Sequence, residues 1–291
     1  MPAADLKEFP VTNEFVHPLV EFPDVSATTE LVHIQATQAG AVTVTMNRPA
    51  KKNAFNDDLI SALEEAFQTL KGAEGVRVVF IRGAGTTFSA GADLDWMRAA
   101  VDRTEADNRT DAFALARMLK ELHDLPALTV ALVDGGAFGG GAGLAAACDL
   151  AISTRDAKFS FSEARLGLIA ATISPYVIEA IGPRTARALF ATARVFDAAH
   201  AEKIGLVSEL VDDAAGLGEA ARRIAGEILA CGPDAVAGSK KLVEDVAGRV
   251  IDHALMELTA QRIASFRVSA EGQEGVRAFL ERRKPQWTPG E

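Results

Sequence analysis

Apolar and polar residues alternate over 31–37 and again over 41–46, with Gly40 between the two runs. A period of two marks strands with one face on a core, so the pair predicts a β-hairpin. Asn56 then precedes Asp57 and Asp58, and Leu59, Ile60, Leu63, Ala66, Phe67 and Leu70 repeat at helical spacing. A side-chain oxygen at the cap and acids in the first turn suit the free N–H groups of a helix start, so a helix with one buried face is expected. The order then recurs: a strand over 76–82, a loop over 83–93, a polar stretch, a helix over 110–123 and a strand over 127–133. Strand alternating with helix favours a layered α/β fold with crossover connections.

Past Val133 the pattern changes. A glycine-rich segment, 135–143, leads into a short Ala-rich helix ending near Cys148, and strand-like runs follow at 150–153 and 157–162. Ser174-Pro175 predicts a helix start, Gly182-Pro183 a stop, and Asp197 an N-cap before a short segment closed by Gly205. Beyond Leu210 the periodicity is almost wholly helical. The expected division is an N-terminal extension over 1–30, an α/β core over 31–210 and a helical region over 211–291.

Composition narrows the class. The 291 residues can bury one large core, and a 48% hydrophobic, 24% charged chain is ordinary for a globular protein. A net charge of -10 argues against nucleic acid as a partner, because that affinity rests on Lys and Arg displacing counterions. No uninterrupted apolar run of about 18 residues occurs, so no spanning helix is expected. Residues 1–30 hold no signal-like apolar core, and Cys148 and Cys231 lack metal or disulfide spacing, so a cytoplasmic location follows. The histidines show no H-x-x-x-H or H-E-x-x-H spacing, and no metal is expected.

Three segments carry candidate chemistry. Thr87 to Leu94 follows a strand, and its small residues Ser89, Ala90, Gly91 and Ala92 let a ligand approach the backbone; a tight turn is the simpler reading. The glycines around Gly140 open a helix, whose free N–H groups and dipole suit a developing oxyanion; a flexible turn is the alternative. Strand periodicity over 159–163 places Glu163 on the face of Phe159 and Phe161, where desolvation would raise its pKa and suit it to moving a proton; alternatively the strand ends at Ser162 and Glu163 pairs with Arg165 at the surface. Neither glycine segment fits G-x-G-x-x-G, and no P-loop occurs. Thr87 to Gly91 approaches the G-x-S-x-G nucleophile elbow, which makes Ser89 a hydrolase candidate of lower rank.

Asn47-Arg48-Pro49 with Asn53-Ala54, Phe88 to Leu94, Gly139-Gly140-Gly141 and Cys148-Asp149-Leu150 together resemble the crotonase (enoyl-CoA hydratase/isomerase) superfamily over about residues 30 to 288. The resemblance implies a crotonase-like spiral of ββα units with a C-terminal helical trimerisation region, and hence a homotrimer or homohexamer. It implies an acyl-CoA substrate, with coenzyme A part of that substrate and no separate cofactor. It assigns the oxyanion hole to the backbone N–H groups of Ala92 and Gly140 and the acid/base to Glu163. It lines the coenzyme A site with Lys51, Lys52, Ala54, Ala90, Gly91, Asp93 and Leu94, joined by Phe279 and Arg282 of a neighbouring subunit. The segments Gly139 to Leu144, Phe161 to Ile169 and Thr172 to Val177 are similar to 3-methylglutaconyl-CoA hydratases and related glutaconyl-CoA enzymes of leucine breakdown. Gly143 stands where two-glutamate hydratases of the family carry a second Glu. The implied activity is syn hydration of a branched or glutaconyl-type enoyl-CoA; the alternatives are enoyl-CoA isomerisation and non-catalytic acyl-CoA binding.

Overall fold

The structure, a computed structural model, describes residues 30–288; the N-terminal extension expected over 1–30 lies outside them except for its last residue. Strands β1 (Val32–Ala36) and β2 (Ala41–Met46) pair antiparallel from Val32 opposite Met46 to Ala36 opposite Val42, as the alternation predicts. Asn56 Oδ1 accepts the Leu59 N–H at 3.0 Å and starts α1 (Asp57–Gly72), which buries Leu59, Ile60, Leu63, Phe67 and Leu70. Each of those side chains contributes about 1.5–3 kcal/mol by leaving water. Strand β3 (Val78–Gly83) lies parallel to β2.

The polar stretch after Asp93 is not a loop. It folds as α2 (Leu94–Val101), and α3 (Glu105–His123) begins five residues before the expected start. Two local caps explain this: Asp93 Oδ1 accepts the Asp95 N–H, and Thr104 forms a reciprocal capping box with Asp107. Because α2 buries no residue fully, its apolar period is too weak to announce it.

Strand β4 (Leu128–Val133) extends the sheet, and three residues of the glycine-rich segment form β5 (Gly136–Phe138) before α4 (Gly140–Ala146). Strands β6 (Leu150–Thr154) and β7 (Lys158–Ser160) follow. Helix α5 (Ser174–Thr192) is interrupted at Gly182-Pro183, where the sequence predicts a stop. Gly182, at φ 73° and ψ 158°, breaks the helix, and Pro183, which needs no N–H partner in a first turn, restarts it. Strand β8 (Phe196–Asp197), helix α6 (Ala198–Lys203), capped by Asp197, and strand β9 (Glu209–Val211) complete the strands.

The main sheet has the order β1-β2-β3-β4-β6-β9, parallel except for its first pair, and β5-β7-β8 form a second small sheet. A large apolar cluster lies between the main sheet, α1, α3, α4 and the small sheet. The opposite face of the main sheet is covered by α7 (Ala214–Leu229), whose Leu217, Ala220, Ile224 and Ala225 pack with Val78, Phe80, Val130, Leu132 and Ile152. Helices α8 (Pro233–Val246), α9 (His253–Val268) and α10 (Ala270–Glu281) pack mainly on one another and bury few side chains, Leu255 and Ala278 among them. Lys240 on α8 ties this layer to the core, donating to the carbonyls of Leu125 (2.7 Å) and Ala127 (2.9 Å) and to Asp149 Oδ2 (2.6 Å).

Candidate active site

Two chain segments are stitched together beside the small sheet. Ser89 N–H donates to Gly136 O (3.1 Å) and Phe138 N–H donates to Ser89 O (3.0 Å), so the segment after β3 runs parallel to β5. Gly91, at φ 86°, is pressed onto this partner: a Cβ there would lie 2.7 Å from Phe138 O and 3.7 Å from Gly139 Cα. Only glycine fits both the backbone angle and the contact. Ala92 follows Gly91 and Gly140 follows Gly139, so the two residues leave adjacent points of the same junction.

Both backbone donors are unspent. Phe55 N–H donates to Gly91 O (2.7 Å) and Asp93 N–H donates to Phe55 O (2.8 Å), while among the described residues no acceptor takes the Ala92 N–H between them. Gly140 is the first residue of α4 and has no acceptor within its own helix. Ala92 is exposed and Gly140 half-buried, so an incoming group can reach them.

Glu163 closes the junction, though not from a strand. Strand β7 ends at Ser160, and Glu163 begins a 3-10 turn, Glu163–Leu166, so the alternation read through residue 163 extends too far. The expected desolvation has a different origin. The carboxyl lies against Gly139, where an added Cβ would be 3.2 Å from Oε1, and Oε2 is buried without a hydrogen-bond partner. Burial raises its pKa, opposed only by a hydrogen bond from its own backbone N–H. Arg165 does not pair with it: the Arg165 Nε–H donates to Ala193 O at 2.9 Å.

Asn53 organises the other side, a role the sequence reading did not give it. Fully buried, it donates from Nδ2 to Ala84 O (2.9 Å) and Thr87 O (2.7 Å) and accepts the Arg48 N–H at Oδ1 (2.9 Å). Ala90 N–H donates to Lys52 O (2.9 Å), so Lys51, Lys52 and Ala54 are brought beside Ala90, Gly91, Asp93 and Leu94. Within that group Asp93 is buried and paired with Arg48 at 3.0 Å; against the opposing effect of burial, the Asp95 backbone N–H first and then Arg48 hold its carboxyl below the usual range. Lys51 pairs with exposed Asp95 at 2.9 Å, and Leu94 is exposed. A cavity of about 290 Å³ opens here, lined by Arg48, Lys51, Asp93, Asp95, Trp96 and Arg103 among others. Phe279 and Arg282 are not part of this assembly within the protomer. They lie at the end of α10, with Phe279 exposed.

Ser89 is not placed as an exposed nucleophile. Its hydroxyl is fully buried, donates to Asn53 O at 2.8 Å and accepts the Gly91 N–H at 3.3 Å. Asp149, part of another sequence motif, proves structural, receiving the N–H (2.7 Å) and hydroxyl (2.9 Å) of Thr129 and the Lys240 ammonium. Among the described residues one metal-type group exists, His123, Asp124 and Glu244, but both oxygens of Asp124 are held by Lys120 (2.6 and 2.9 Å). No described helix is long and apolar enough to cross a membrane.

The model of the enoyl-CoA hydratase/isomerase family matches residues 36–290. A structure from Shewanella pealeana, an enoyl-CoA hydratase, is 38% identical, covers 90% of this chain and 98% of its own, and superposes with a TM-score of 0.87. A Legionella pneumophila structure described as an enoyl-CoA hydratase/isomerase (crotonase) is 43% identical over 88% of this chain and 98% of its own, with a TM-score of 0.83. By sequence, the 1,2-epoxyphenylacetyl-CoA isomerase of Escherichia coli is 30% identical over 86% of this chain and 96% of its own. The fold is accordingly crotonase-like, with a helical C-terminal region, and the chain belongs to the enoyl-CoA hydratase/isomerase family of the crotonase superfamily.

Proposed function

We propose that the chain hydrates an α,β-unsaturated acyl-CoA by syn addition of water, with the thioester oxygen held between the N–H groups of Ala92 and Gly140 and the proton moved by Glu163. The observation that carries this reading is the buried, unpartnered Oε2 of Glu163 beside the start of α4. As a nucleophile adds at Cβ, charge develops on the thioester oxygen. Two preorganised amide donors, one at a helix N-terminus, stabilise that charge more than the neutral carbonyl, and one such donor is worth about 3 kcal/mol in the barrier. A carboxyl kept in an apolar setting exchanges its proton readily near neutral pH.

The adenine and phosphate end of coenzyme A is assigned to Lys51, Lys52, Ala54, Ala90, Gly91, Asp93 and Leu94, with Phe279 and Arg282 supplied by a neighbouring subunit of a homotrimer or paired trimers. A branched or glutaconyl-type acyl group of the 3-methylglutaconyl kind is the preferred substrate, on the sequence of the Phe161 to Ile169 segment that carries Glu163.

Isomerisation is the second reading, favoured by one observation: α4 carries no titratable side chain, so a single carboxylate is available, as a shuttle between Cα and Cγ would need. Turnover of a panel of enoyl-CoAs, 3-methylglutaconyl-CoA included, in water enriched in heavy oxygen separates the two. Hydration puts one heavy oxygen into the product, whereas turnover without incorporation overturns hydration in favour of isomerisation. Undiminished turnover by Glu163→Gln overturns both.

A further inference from the structure

We propose that Glu163 works alone, taking a proton from water and returning it to Cα, and that Ile173 is the positioning residue that keeps the next turn of α4 closed to any second polar group. This rests on the hydration reading above. Glu163 lies over Gly139, and Gly143 follows one helical turn later, its N–H donating to Gly139 O at 3.0 Å. That hydrogen bond sets Gly143 one α-turn, about 5.4 Å along the axis, from the residue the carboxyl touches. Ile173, fully buried at the start of α5, covers Gly143.

The contact is closed to atomic dimensions. A Cβ on Gly143 would lie 2.1 Å from Ile173 Cγ2 and 2.5 Å from Ile173 Cβ, well inside van der Waals contact. Even a methyl group is excluded unless Ile173 moves, and a carboxylate-bearing side chain more so. The remainder of α4 is glycine, alanine and leucine. Burial is the main influence on the carboxyl: Arg165 on its own turn is held by Ala193 O, and Oε2 has no hydrogen-bond partner among the described residues.

The step balances on one carboxylate. A water O–H bond breaks and its proton passes to Glu163, while the oxygen pair forms the C–O bond at Cβ. The Cα=Cβ pair moves into the enolate, whose oxygen lies between the two N–H groups. The enolate pair then takes the proton from Glu163 to make the Cα–H bond, and the carboxylate is restored without a co-reactant.

Two measurements test this. In a melting-temperature cycle, Gly143→Ala should lower the midpoint by several degrees in the native background and cost little in Ile173→Ala, because the truncation vacates the clashing volume. Equal losses in both backgrounds, or no loss in the native one, overturn the packing claim whatever the activity. In kcat/KM against pH, the native enzyme should lose activity toward acid with a limb of a single ionisation. Ile173→Ala, which lets water toward the carboxyl, should shift that limb to lower pH, and Ile173→Val should return it most of the way. A limb of two ionisations overturns the single-carboxylate claim, and a limb unmoved by Ile173→Ala overturns the positioning role of Ile173. Heavy-oxygen incorporation and loss of turnover in Glu163→Gln judge hydration separately, so either idea can fail without the other.

Discussion

Glu163→Gln is expected to make the protein more stable at alkaline pH while disabling it. Burial raises the folded-state pKa of Glu163 above its ordinary value of 4.5, so the folded chain holds this proton more tightly than the unfolded chain. The stability that follows is fully present below the unfolded value and is lost as pH rises through the folded one. Above it the ionised carboxyl sits with Oε2 buried and unpartnered, and an orphaned buried acceptor costs about 1–3 kcal/mol. The half-buried position of the residue keeps the effect at the lower end, about 1 kcal/mol. In a domain of this size that is about 2–4 °C in melting midpoint. Thermal melts of both proteins from pH 5 to pH 8 should therefore show Glu163→Gln higher at pH 8 and the gap closing toward pH 5. Over the same series kcat should fall by about 10²–10⁴-fold. A variant that melts lower than the native protein at pH 8, or a gap that widens on acidification, refutes the claim that this carboxyl is held ionised at a cost.

Ser89→Ala removes a buried hydroxyl that links Asn53 O to the Gly91 N–H, and should cost about 1–2 kcal/mol by denaturant titration; a fluorophosphonate probe should leave Ser89 unlabelled in the native protein. Lys240→Met takes one ammonium from the carbonyls of Leu125 and Ala127 and from Asp149, and should cost about 2–3 kcal/mol in the same assay with KM unchanged. No loss of stability in Lys240→Met would mean that the C-terminal helices are held by other contacts.

Where local rules coincide, the fold is readable from residues. The hairpin follows from its alternation and α1 from its cap and its period, and both stand as expected. Where a segment buries little, as α2 does, periodicity fails and only Asp93 as an N-cap hints at a helix. The Gly182-Pro183 pair reads as a terminus because each residue disfavours helix continuation, and the helix does break at Gly182; what the pair does not announce is that Pro183, a good first-turn residue, starts the next helical stretch directly. The glycine junction is legible as a place built for close approach. Its pairing with Gly91 is a long-range contact with no local signal.

Glu163 shows the same limit. Its chemical type and apolar neighbours point to a desolvated carboxyl, but the strand ends early and the burial comes from a turn set against Gly139. Ile173, thirty residues from Gly143 in sequence, could not be paired with it by any spacing rule. Asn53 could have been found: an asparagine after Pro49-Ala50-Lys51-Lys52 is a common turn former, and its amide can serve several carbonyls at once.

The most direct test of the account is a crystal structure with a stable acyl-CoA thioester analogue. The thioester oxygen should lie about 3 Å from both the Ala92 and the Gly140 nitrogens, with a Glu163 oxygen facing Cα. An analogue bound with that oxygen in contact with neither amide would contradict it.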